Sequence, residues 1–190
     1  MATTAAPYGL RPVRLIGGQV FAGSTRQIKI ASGYAANIFY GDAVKLVAAG
    51  TVEKDTGTNA MTPVGIFLGC SYTDATMGFI QRQYWPTGTV ASDAVAYVLD
   101  DPDVEIQVQA DASVAQTALG SNFALVQGTG STVTGNSAVS LDASTSATTN
   151  TLPVRLVGFV DGPNSTVGDT YTDCLVKWNV GHQYTNTTGV

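Results

Sequence analysis

The stretch AVAYVLDDPDVEIQVQA, residues 94–110, constrains this chain more than any other. From 94 to 99 apolar side chains occupy both parities, as a strand covered on both faces requires. Asp100-Asp101-Pro102-Asp103 then supplies turn chemistry: proline presets φ, and aspartate side chains bond to backbone two residues on. From 104 the alternation is strict, with Val104, Ile106 and Val108 on one face and Glu105, Gln107 and Gln109 on the other. Neither half shows helical spacing, so the segment predicts two strands joined as a β-hairpin.

The same signals recur along the chain. RQIKI (26–30), the two halves of DAVKLVAAGTVEKD (42–55) around Ala49-Gly50, PVGIFLGCSY (63–72), GFIQRQYWP (78–86), LPVRLVGFVDG (152–162) and TDCLVKWNV (172–180) all read as strands. One short helix is expected, opened by a capping box at Ser113–Gln116 and closed at Gly120. The fold class that follows is all-β: an antiparallel β-sandwich or barrel, jelly-roll-like, with one short helix and an extended N-terminal arm. Residues 25–182 form the single β domain, 128–150 a low-complexity surface loop and 183–190 a polar tail. VGIFLG (64–69) and VGFVDG (157–162) echo one another, as convergent strand-and-turn chemistry does.

Residues 1–24 differ from the rest. Pro7 and Pro12 bias their predecessors to extended backbone, and Gly9, Gly17, Gly18 and Gly23 prevent a sustained helix. The segment reads as an arm lying along a surface, with Tyr8, Leu10, Val13 and Leu15 as apolar anchors; the alternative is that residues 7–24 form an edge strand and turns within the domain itself. Arg11, Arg14, Arg26 and Lys29 all precede the first carboxylate, Asp42, although the protein's net charge is −5. A basic arm on an acidic protein points to an acidic protein partner. A pI near 4.5, with only four cations and no set of stacking aromatics beside them, argues against nucleic acid. No apolar run is long enough to span a membrane, and MATTAAPYGL has neither a basic nor an apolar signal region. Only 12% of residues are charged, so a neutral surface rich in Thr, Ser and Ala is left for contacts with partners.

No constellation carries catalysis. His182, the sole histidine, has no sequence neighbours suited to a triad or a zinc site and is expected at the surface or an interface. Asp100, Asp101 and Asp103 are the one set that resembles a cation site, but they lack the spacing of a calcium loop and read as a solvated turn. Glu53 and Glu105 are the only glutamates, and both sit in alternating strand patterns. Tyr84, Trp85 and Trp178 read as sandwich core, with a sugar-binding face as the alternative. Cys70 and Cys174 lie in apolar strands and are expected as buried free thiols. No cofactor is implied.

The run APYGLRPVRLIGGQVFAGSTRQIKIASGYAANIFYGDAVKL and the block TLPVRLVGFVDGPNSTVGDTYTDCLVKWNVGHQYTNTTGV resemble the two ends of small structural proteins of tailed bacteriophages. These are head decoration, or cement, proteins. The resemblance implies a non-enzymatic β-rich module on the outer capsid surface of the virion, assembled as a homotrimer and clamping neighbouring subunits of the major capsid protein. Its arm would dock by strand addition, with Tyr8, Leu10, Val13 and Leu15 as anchors and Arg11, Arg14 and Arg26 paired to capsid carboxylates. The alternatives are a host-recognition module that binds surface glycans, on the head or tail, and a minor tail or connector component.

Overall fold

A computed structural model of the chain describes residues 4–20, 22–185 and 189–190. The sequence carries N-glycosylation sequons at Asn164 and Asn186, and the second lies outside the described residues. The strands in chain order are β1 (Arg11–Leu15), β2 (Arg26–Lys29), β3 (Ala43–Leu46), β4 (Val52–Lys54), β5 (Gly65–Asp74), β6 (Gly78–Arg82), β7 (Val95–Leu99), β8 (Val104–Gln109), β9 (Asn122–Phe123), β10 (Leu125–Val126), β11 (Ser140–Leu141), β12 (Val154–Phe159) and β13 (Asp173–Trp178). They build one sheet in the order β1-β8-β13-β12-β9 and a second in the order β2-β7-β5-β3-β4, with β6 also on β5 and β10-β11 as a separate small ladder. All pairings between these strands are antiparallel, and the two sheets pack as an all-β sandwich.

The hairpin expected at residues 94–110 does not form. β7 pairs with β2 and β5 in the second sheet, and β8 pairs with β1 and β13 in the first. The Asp100–Asp103 turn is therefore a corner that carries the chain from one sheet to the other. It is closed by Asp103 N donating to Asp101 Oδ1 at 2.8 Å, and Arg26 holds Asp100. The reason lies in the burial pattern. β7 is apolar on both faces and needs a place inside a sheet covered on both sides, whereas β8 has one apolar face to turn toward the core.

That second sheet is covered twice. Ala43, Ile66 and Leu99 face the first sheet and pack with Ile106, Val108, Val154, Leu156, Val176 and Trp178. Val44, Phe67, Ala96 and Val98 face the other way, onto Ile30, Ile38 and Trp85 from the connecting segments. The adjacent residues Ile66 and Phe67 thus feed separate cores, as the period of two demands.

Two further expectations are corrected. The short helix contracts to a 3-10 turn at Gln116–Ala118 without a side-chain cap, because the Ser113 hydroxyl donates instead to the Gly168 carbonyl at 2.9 Å. Residues 128–150 are not simply a surface loop: Val139 and Leu141 are fully buried, and Leu141 pairs in β11. Two apolar side chains suffice to draw the segment into the core.

Ser137 fixes the same segment to a buried charge. Its hydroxyl donates to Asp42 Oδ1 at 2.6 Å, while Asp42 Oδ2 accepts from Phe39 N at 2.8 Å and lies 3.0 Å from Lys54 Nζ. Asp42 is wholly inaccessible to solvent, so every one of these partners compensates its desolvation.

Both cysteines are buried free thiols, as expected. Burial pushes each thiol up to about 12, which leaves almost no thiolate at neutral pH. Ellman's reagent at pH 8 is expected to titrate neither thiol in the native protein and both in guanidinium chloride. Fast reaction of either thiol without denaturant would contradict the packing described here.

Candidate docking surface

The N-terminal segment is built into the domain rather than standing off it. Gly9 and Gly41 both take left-handed backbone, φ +80° and +89°, and a Cβ on Gly9 would lie 2.7 Å from Ser137 Cβ. That close approach lets Leu10 N donate to Gly41 O at 2.9 Å and places the Leu10 side chain, 0% exposed, in the core between the sheets. Leu10 is thus not an external anchor. Its neighbours lie on the outer face of the first sheet. Ala6 N donates to Gln109 Oε1 at 2.8 Å, and the Tyr8 hydroxyl donates to Asp173 Oδ1 at 2.9 Å. Burial, and then the Asp173 charge, push the Tyr8 phenol well above its usual range. The Arg11 guanidinium sits 4.3 Å from the centre of the Tyr8 ring.

β1 is an edge strand with a bulge. Arg11 is opposite Gln107, Pro12 opposite Ile106, Arg14 opposite Glu105 and Leu15 opposite Val104, so Val13 is the extra residue. Arg11 and Arg14 are three apart, and in a regular strand they would face opposite ways. The bulge turns both outward, together with Val13 at 45% exposure, while Leu15 is half-buried against the core. Arg14 Nε and Nη2 both lie 3.0 Å from Glu105 Oε1. Beyond β1 the chain doubles back, Leu15 N donating to Gln19 O at 3.0 Å, and presents Ile16 and Val20 to solvent.

Of the remaining candidates, Arg26 pairs with Asp100 and lies 5.7 Å from the Tyr184 ring centre. Asp103 faces Lys177 at 3.7 Å, and Asp101 caps its own turn. The three aspartates of the corner are thus separately engaged, and among the described residues no three His, Cys, Asp or Glu side chains form a metal-binding group. Trp85 and Trp178 are core residues, and Tyr84 stacks on Phe39 with ring centres 5.5 Å apart.

His182 was expected at the surface or an interface and is buried within the domain, 1% exposed. The polar tail is strapped down at its first residue, Gln183. Leu46 N donates to Gln183 Oε1 at 2.8 Å, Gln183 Nε2 returns a bond to Leu46 O at 3.1 Å, and Gln183 N donates to Pro63 O at 2.8 Å. The Gln183 amide stands in for a strand neighbour of β3 and draws His182 against Trp178 and Tyr184. His182 Nδ1 accepts from Tyr184 N, and the buried Nε2 has no hydrogen-bond partner among the described residues. Burial lowers the His182 pKa, and the Val64 backbone and the charges of Asp100 and Asp101 oppose this without reversing it. A histidine depressed in the folded state leaves the unfolded chain binding more protons below about pH 6.5. Stability is therefore complete above that value and declines as pH falls through it, until the folded-state value is passed. Urea midpoints at pH 7.5 and pH 5.5 are expected to differ in the wild type and to converge in His182→Gln. An equal shift in both would assign the dependence to other groups.

The outer face of the first sheet holds two cations that sequence reasoning passed over. Arg14, Glu105, Lys177, Arg155 and Asn122 are successive cross-strand partners, one from each of β1, β8, β13, β12 and β9. They form a single row across the whole sheet, with three positive side chains and one negative. A signal for Arg155 was present: Pro12–Gly17, PVRLIG, recurs as Pro153–Gly158, PVRLVG, with Arg155 in the place of Arg14. Both copies carry a bulge, which in β12 falls between Leu156 and Gly158. No family model, curated protein or solved structure matches this chain.

Proposed function

We propose that this chain is a structural virion protein that decorates the outside of a tailed-phage capsid, as a homotrimer, and stabilises it by bridging neighbouring copies of the major capsid protein. The observation that carries the reading is where the two phage-like blocks meet. The N-terminal block supplies β1 and the C-terminal block supplies β12 and β13, and all three strands belong to one sheet with a cationic outer face. A β-sheet surface of this kind suits a passive clamp, and weak contacts repeated over a lattice accumulate by avidity.

Leu10 and β1 belong to the body, so docking falls to the exposed side chains around them, Arg11, Val13, Ile16 and Val20, rather than to a detachable arm. Arg11→Glu is therefore the informative variant, because a truncation to residue 24 removes core and sheet together. Arg11→Glu is expected to keep the fold and to bind expanded empty heads several-fold more weakly at low salt, with the gap narrowing as salt rises. Mass spectrometry of purified virions tests the reading itself. Hundreds of copies per particle support decoration, whereas a handful of copies would move the protein to the tail or connector.

A further inference from the structure

We propose that the Arg155–Lys177 end of the cationic row is a binding site for the carboxylates of an acidic polypeptide. Arg155 and Lys177 stand directly opposite each other on β12 and β13, an arrangement that destabilises a sheet when both side chains are charged alike. At the other end of the row Glu105 stands between Arg14 and Lys177 and contacts Arg14, at 3.0 Å from both Nε and Nη2. Arg155 has a neutral partner instead, its Nε donating to Asn122 Oδ1 at 3.0 Å. Lys177 has Asp103 at 3.7 Å, and that carboxylate is 70% exposed, so the pairing is screened and weak. The repulsion is thus only partly offset within the fold, by Asp103 and by Glu105 opposite Lys177.

The place where it stands is concave. A cleft of about 400 Å³ is lined by Asp103, Arg155, Lys177, Asn179 and Tyr184, among others. Adjacent strands are about 4.8 Å apart, so one carboxylate entering the cleft reaches both cations and converts the repulsion into two charge-assisted hydrogen bonds. The chemistry of the walls selects the occupant. Asp103 repels a continuous polyanion such as nucleic acid but accepts the backbone N–H groups of a polypeptide, and Asn179 supplies an amide able to pair with peptide groups. A polypeptide with scattered carboxylates can pair with Arg155 and Lys177 through its side chains and with Asp103 and Asn179 through its backbone. The inference deepens the decoration reading, and rests on it only for which protein supplies the carboxylates.

The test titrates full-length protein with an oligoglutamate peptide at low salt, read by backbone amide NMR shifts. Saturating shifts are expected at Asn122, Arg155, Lys177 and Asn179, with affinity falling about tenfold or more in Arg155→Glu/Lys177→Glu. Lys29→Glu reverses a charge on the exposed edge of the other sheet and is expected to change affinity by less than about twofold. Should the double variant lose its native amide dispersion, Arg155→Gln and Lys177→Gln singly carry the test, each with a smaller loss. Shifts confined to other residues, equal weakening by Lys29→Glu, or tighter binding of an oligothymidylate of matched charge would each overturn the proposal. Peptide binding by a protein missing from virions removes the decoration reading and leaves this site standing. Hundreds of virion copies of a protein that ignores the peptide do the reverse.

Discussion

Leu10→Ala is expected to destabilise the protein by about 2–5 kcal/mol, the range for emptying a large buried aliphatic site. Leu10 is fully enclosed between the sheets, and Gly9 and Gly41 hold its backbone too tightly for the chain to settle into the space left behind. Urea denaturation followed by tryptophan fluorescence measures the loss, since Trp178 packs in the same core. Val13→Ala on the exposed side of β1 is the control, expected within about 0.5 kcal/mol of wild type. If the two variants behaved alike, residues 10–15 would be attached to the surface rather than structural.

Asp42→Ala is expected to cost more, about 3–5 kcal/mol, because it strands a cation. Lys54 keeps only 12% of its side chain accessible, and Phe39 N and the Ser137 hydroxyl lose their acceptor at the same time. The double variant Asp42→Ala/Lys54→Met separates the two contributions. Removing both charges is expected to recover part of the loss, and the remainder belongs to the orphaned Phe39 and Ser137 donors. A double variant no more stable than Asp42→Ala would mean that Lys54 reaches water once released. Such a result would place the whole cost on the two hydrogen bonds.

These two residues also mark what the sequence discloses. Asp42 reads as a turn residue in FYGDAVKL, and nothing local reveals that Ser137, 95 positions away, completes its shell. Leu10 sits among prolines and glycines that read as an arm, because one buried leucine leaves no periodicity. Strands with four or more alternating or doubly apolar residues were legible, from RQIKI to TDCLVKW, since their pattern is local. β9, β10 and β11 span two residues each and carry no pattern at all. The Asp100–Asp103 turn shows the limit most clearly: its chemistry is the same in a hairpin and in a corner, and only distant partners decide which forms. The candidate surface was half legible. Arg11 and Arg14 were visible as charges, but their common face depends on the Val13 bulge, and Lys177 joins the row only through the β8–β13 register.

The corner at Asp100–Asp103 also divides the chain in time. Every strand of the second sheet lies between residues 26 and 99, so that sheet is complete once the ribosome has released the corner. The first sheet draws β1 from the beginning of the chain and β13 from its far end, and β8 waits between them for a neighbour more than sixty residues downstream. Pairings that distant form slowly, since loop closure must precede contact. Amides in β5 and β7 are therefore expected to gain protection first in pulse-labelled refolding, and those in β13 last. Until then Ala43, Ile66 and Leu99 face solvent, and the half-made protein presents to its neighbours the apolar face that the finished one conceals.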